Sequence, residues 1–126
     1  MNSLHITATE RSPEVIFDFS TNVFALKGES YPEDVKEFYG PVIERLEKHL
    51  NALEDAAVQF MFEFIYFNSS TAKILMNLFE LLDATAERGN AVAITWAFEK
   101  DDGNMEELGE EFGEDLEHAS FTLAAI

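Results

Sequence analysis

The sequence predicts an α/β domain, a mixed β-sheet carrying crossover helices, on three observations. Residues 57–67 alternate with period two, apolar positions at three- and four-residue spacing fill the stretches on either side, and 126 residues with a 47% hydrophobic fraction match one core-forming domain. Residues 1–126 are therefore expected to form one domain with the element order β-β-α-β-α-β-α-β.

The elements follow in order. Val15 to Ser20 and Val23 to Lys27 are short β-branched and aromatic runs, and Thr21-Asn22 between them reads as a tight hairpin turn. The chain leaves the hairpin at Gly28. In GESYPED, Pro32 suits a first helical turn, Ser30 or Tyr31 can cap it, and Glu33 and Asp34 complement the positive helix end. Val35, Phe38, Tyr39, Val42, Ile43, Leu46 and Leu50 then form one apolar stripe. The stripe keeps phase across Gly40-Pro41, so a kink is expected there rather than a break.

From Ala57 to Phe67, Val58, Phe60, Phe62, Phe64 and Tyr66 should face one way and Gln59, Met61, Glu63, Ile65 and Phe67 the other, as in a central strand. Ile74, Leu75, Leu78, Phe79, Leu81 and Leu82 return to helical spacing until Gly89-Asn90 stops the helix. Ala91 to Phe98 reads as another buried strand. Residues 99–117 carry ten carboxylates and one Lys, with Met105, Leu108, Phe112 and Leu116 at helical spacing: a helix with a narrow apolar stripe and a solvated acidic face. Phe121 to Ile126 supplies a terminal strand.

Composition excludes several functions. Eight basic residues against 25 acidic ones give a net charge of -17, which repels nucleic acid and the anionic face of a membrane, so neither is expected as a partner. The N-terminus lacks a basic then apolar leader, and the aromatic run of residues 56–67 is too short to span a bilayer. With no cysteine, a cytoplasmic protein is the expectation.

Catalytic signatures are scarce. His5, His49 and His118 fall in separate elements without metal-ligand spacing, and DDGNMEE does not place donors and Gly at EF-hand offsets. No glycine-rich phosphate loop or nucleophile motif is present. No metal or cofactor is expected, and no enzymatic activity, although Glu29, Glu33 and Asp102 near a cleft would support a small-ligand-binding or enzymatic domain instead. Asn68-Ser69-Ser70 matches a glycosylation acceptor, which requires a secreted chain.

What stands out is FNSST, residues 67–71, a hydroxyl cluster where a strand hands over to a helix. One of Asn68, Ser69 and Ser70 suffices to cap the helix. A hydroxyl at a helix start is also suited to phosphorylation, because free amides and the dipole accommodate added negative charge. Phosphate there adds about -1.5 to -2 charges and disturbs a docked partner more than the fold.

Further residues carry a resemblance: Gly28-Glu29-Ser30-Tyr31-Pro32-Glu33, Phe38-Tyr39 with Pro41, Tyr66-Phe67-Asn68-Ser69-Ser70-Thr71 with Lys73, Trp96 with Glu99, Asp101 and Asp102, and Met105-Glu106-Glu107-Leu108-Gly109-Glu110. Over nearly its whole length the chain resembles the SiaC family of bacterial regulatory phosphoproteins, relatives in fold of the STAS domains of anti-sigma-factor antagonists. The resemblance implies a STAS-like sheet and a partner switch. A dedicated Ser/Thr kinase modifies the residue after the Asn, a PP2C-type phosphatase reverses it, and the unmodified form binds a target, in described members a diguanylate cyclase, so that cyclic di-GMP and biofilm behaviour follow.

In the family that residue is usually Thr in an Asn-Thr-Ser-Ser run, and the carry-over lands on Ser69. Ser70 and Thr71 are its competitors for the kinase. The expected partner surface is Phe67, Asn68, Ser69, Ser70, Thr71 and Lys73, with the aromatics around the central strand hinting at apolar surface left uncovered by helices.

Overall fold

The computed structural model describes residues 2–126. Its elements are β1 (Ser3–Ile6), β2 (Glu14–Asp18), β3 (Val23–Ser30), α1 (Val35–Asn51), β4 (Ala57–Phe67), α2 (Ser69–Glu87), β5 (Ala91–Phe98), α3 (Gly103–Glu114) and β6 (Ser120–Ala125). The strands form one six-stranded sheet in chain order. The first three are antiparallel neighbours, and β3 to β6 run parallel with one helix in each crossover.

One strand face makes the core. Phe17, Phe24, Leu26, Val58, Phe60, Phe62, Ile94 and Trp96 pack with Tyr39 and Leu46 of α1, Leu75 and Leu78 of α2, and Met105 of α3 in a single apolar cluster. All three helices therefore cover the same side of the sheet. On the opposite side Gln59, Ala91 and Ala93 are exposed. Parallel strands joined in one direction by right-handed crossovers produce this one-sided coverage.

The structure departs from the expected elements in four places. The edge strand β1 was not expected; Leu4 and Ile6 are half-buried and pair with Phe17 and Val15 in register. The hairpin strand does not end at Gly28, since β3 continues to Ser30 and α1 begins only after Asp34. Gly28 takes φ +116, a left-handed conformation that glycine adopts without steric penalty, and keeps the strand paired. The cap of α1 is accordingly Asp34, whose carboxylate accepts from the Glu37 N–H at 3.1 Å, rather than Ser30 or Tyr31, and Pro32 precedes the helix. As expected, α1 passes through Gly40-Pro41 without a break.

The fourth departure lies at the end of β4. Gly28 pairs with Phe64 but Glu29 pairs with Tyr66, so Ile65 is an extra residue, a β-bulge. One added residue inverts the alternation beyond it. Tyr66, expected on the face of Phe60 and Phe62, is 51% exposed, whereas Phe67, expected on the opposite face, is buried against Phe64 and Trp96.

Candidate functional site

The hydroxyl cluster begins α2. Asn68 has extended backbone angles and its side-chain oxygen accepts from the Thr71 N–H at 2.9 Å, while its backbone oxygen accepts from Ala72 at 2.9 Å. Asn68 thus caps the helix, and neither serine is needed for that role. The Ser69 and Ser70 amides lie in the first turn, where no helical carbonyl precedes them. Both serines are exposed, as is Lys73 one turn on.

Thr71 is different: it is fully buried, at 0% exposure. Its hydroxyl donates to the Ser30 backbone oxygen at 3.0 Å, which leaves Ser30 Oγ to donate to Thr71 Oγ1 at 2.9 Å and Tyr39 Oη to donate to Ser30 Oγ at 2.6 Å. Every proton in this chain has one acceptor. The Ser30 backbone oxygen also accepts from the Asn68 N–H at 3.1 Å. The end of β3, the second turn of α1 and the start of α2 are thereby tied through residue 30. Burial pushes the Tyr39 phenol up to about 12, partly offset by its bond to Ser30, so it stays protonated.

Of the residues expected at this site, the structure brings Ser69, Ser70 and Lys73 to the surface and leaves Asn68 half-buried in its cap. Two expectations are corrected. Thr71 cannot compete as an accessible hydroxyl, because its oxygen is sealed between Ser30 and the helix, and Phe67 faces the core because of the bulge at Ile65. In their place the bulge exposes Ile65, at 58%, and Tyr66, whose ring meets Tyr31 edge-on at 5.8 Å. The departure of β-period at a strand end is not readable from the residue types, so these two were missed.

The carboxylates weighed for a ligand cleft occupy different places. Asp102 caps α3 by accepting from the Met105 N–H at 3.0 Å, and Glu33 lies exposed in the loop before α1 with Glu29 on β3. Among the described residues no three His, Cys, Asp or Glu side chains gather as metal ligands. The histidines are separate: His5 bonds Glu14 at 2.8 Å, His49 bonds Asn22 at 2.6 Å beneath Phe19, and His118 lies 3.9 Å from Glu87. No helix among the described residues is long and apolar enough to cross a membrane.

Comparison with known proteins agrees with this fold. An uncharacterized protein of Pseudomonas aeruginosa is 31% identical over 115 residues, covering 91% of this chain and 90% of that one. The crystal structure of apo-SiaC from Pseudomonas aeruginosa superposes with a TM-score of 0.88 at 31% identity, covering 99% of this chain and 100% of the other. A crystal structure of the diguanylate cyclase SiaD in complex with its activator SiaC, from the same organism, matches with a TM-score of 0.87 at 29% identity over 95% of this chain and 98% of that one. The model of the SiaC family regulatory phosphoproteins matches residues 6–126, and this chain belongs to that family.

Proposed function

We propose that this chain is the regulated, non-enzymatic component of a phosphorylation-controlled partner switch acting as one cytoplasmic domain. A dedicated Ser/Thr protein kinase phosphorylates Ser69, a PP2C-type phosphatase removes the phosphate, and the unmodified form binds and promotes a target. That the similar SiaC of Pseudomonas aeruginosa is the activator of a diguanylate cyclase supports an enzyme of that class as the target, with cyclic di-GMP output following the modification state.

The observation that carries this reading is the division of the first turn of α2 into exposed Ser69 and Ser70 and sealed Thr71. Transfer to Ser69 forms a bond from its oxygen to the γ-phosphorus of ATP as the bond to ADP breaks and the hydroxyl proton leaves. The helix start accommodates the dianion, so the fold is retained. A partner resting on the adjacent apolar Ile65 and Tyr66 has to desolvate that dianion or retreat from it, and binding weakens.

The test is incubation with a Ser/Thr kinase drawn from the genes flanking its own and ATP, followed by mapping of the phosphate by mass spectrometry. Label on Ser69 is expected; label on neither Ser69 nor Ser70 overturns the reading. Ser69→Ala should bind the cyclase and no longer release it when kinase is added. Ser69→Asp should release it only partly, since it offers one charge where phosphate offers nearly two.

A further inference from the structure

A second surface runs along α2 from Ala72 onward. Helices α2 and α3 enclose an open groove of about 530 Å³. Its floor is apolar: Phe79, Leu108, Phe112 and Leu116, with Met76 53% exposed above them. Every ionisable side chain along its walls is a carboxylate, Glu80, Asp83 and Glu87 from α2 and Glu111 and Asp115 from the α3 side. Helix α3 contains no Lys or Arg.

Asp83 in the α2 wall is held in its charged form. Burial alone raises the Asp83 carboxyl, but the N–H groups of Ala119, His118 and Glu117, at 2.9, 2.8 and 3.2 Å, together with the nearby His118 imidazole, outweigh it and hold the group below the usual carboxylate range. The same bonds fasten the segment before β6 to α2. The groove is an apolar trough with anionic rims, left open on a body of net charge -17.

We infer that this trough receives a cationic amphipathic helix of a partner protein, whose apolar stripe covers Met76 and Leu108 while its Lys or Arg residues meet the rims. An apolar helix face needs such a floor, and the charge complement selects a basic one over a neutral or acidic one. Nucleic acid is repelled by both rims. The lining of α2 runs from Ala72 to Glu87, about 22 Å at 1.5 Å per residue, the length of roughly four helical turns.

This goes beyond the switch at Ser69 and is separable from it by sign. At about 100° per residue, Ser69 lies within about 40° of Met76, Glu80, Asp83 and Glu87 around α2, at the mouth of the trough. Phosphate there has the charge of the rims, so it holds or tightens a basic helix while it weakens a partner resting on Ile65 and Tyr66. The two partners occupy different surfaces.

The experiment is an NMR titration of the ¹⁵N-labelled chain with a synthetic 18-residue Leu/Lys peptide carrying Leu at helical spacing. Controls are the same residues rearranged to period two and the same helix with Glu in place of Lys. Expected are shifts centred on Ala72, Met76, Ala84, Leu108 and Leu116, affinity falling at least about fivefold between 50 and 300 mM salt, and a further threefold or greater loss in the Glu80→Gln/Glu111→Gln variant. The Ser69→Asp chain should bind equally or more tightly. Equal binding of the rearranged peptide, shifts centred outside the groove, or weaker binding by Ser69→Asp overturns the inference.

Discussion

Helices α2 and α3 are fastened to the same sheet by opposite means. The start of α2 is held by a chain of hydroxyls, Tyr39 to Ser30 to Thr71, closed on the Ser30 backbone oxygen. Helix α3 is held by shape: Gly109 sits directly on Trp96, where an added Cβ would come within 2.3 Å of the ring, and the indole N–H donates to the Met105 backbone oxygen at 3.0 Å. Gly113, one turn on, repeats the arrangement against Phe121. Close packing tolerates no added atom, whereas hydrogen bonds tolerate atoms but dictate direction. The directional fastening stands in the same helical turn as the exposed hydroxyls of Ser69 and Ser70.

The largest expected effect breaks the shape-held helix. Gly109→Ala forces a methyl into a fully buried indole and should destabilise the protein by about 3 kcal/mol, the upper end for overpacking, despite the better helix propensity of Ala. Chemical denaturation should give a lower midpoint with loss of near-ultraviolet tryptophan signal. An unchanged midpoint would mean that α3 can slide on the sheet.

Next is Thr71→Val, which keeps the volume but leaves the Ser30 hydroxyl with no acceptor. A loss of about 2 kcal/mol is expected by denaturation. It should also speed hydrogen exchange at the Thr71 and Ala72 amides while those of α3 remain protected. This localisation separates the two kinds of fastening.

Tyr39 gives the comparison a pH axis. Its folded pKa, about 12, is above the ordinary 10.0, so its contribution is fully present below pH 10 and is lost as pH rises from 10 to 12. That loss amounts to about 2 to 3 kcal/mol from a two-unit shift. Tyr39→Phe should lower stability at pH 7 by only about 1 kcal/mol and flatten the alkaline decline, read from denaturation midpoints between pH 9 and 12. If wild type and variant decline in parallel, the phenol is not the alkaline trigger.

The smallest effect on stability is expected for Ser69→Ala, within about 0.5 kcal/mol of wild type, since Asn68 alone caps the helix. Under the proposed switch the change should nevertheless abolish kinase-dependent release of the target, measured by pull-down with and without ATP. A large drop in melting temperature would mean that Ser69 is structural.

Most elements were legible because their apolar residues repeat at the spacing of the helix or strand they form, as the stripe from Val35 to Leu50 and the run from Val58 to Phe64 illustrate. β1 escaped because four residues carry too little periodicity. The start of α1 was misplaced because Ser30 belongs to a strand ladder and a buried hydroxyl chain with a partner 41 residues away, and no local rule registers that distance. For the same reason Thr71 stood beside Ser70 as a competitor of Ser69, although its hydroxyl is sealed. The groove depends on α2 and α3 lying side by side, which only the packed sheet imposes. Gly109 and Gly113, four apart within an otherwise helical run, were the available signal that α3 lies close on the sheet, and they carry no sign of α2 beside it.

The bulge at Ile65 carries its influence past the strand that contains it. A single supernumerary amino acid there exchanges the fates of the next two aromatics, burying Phe67 as an anchor and setting Tyr66 outdoors. Because the helix departs directly from that anchor, its rotational phase is inherited from the strand. Whether residue 69 looks toward solvent or into the protein's own interior is thus decided four positions earlier, by one extra residue in the backbone ladder.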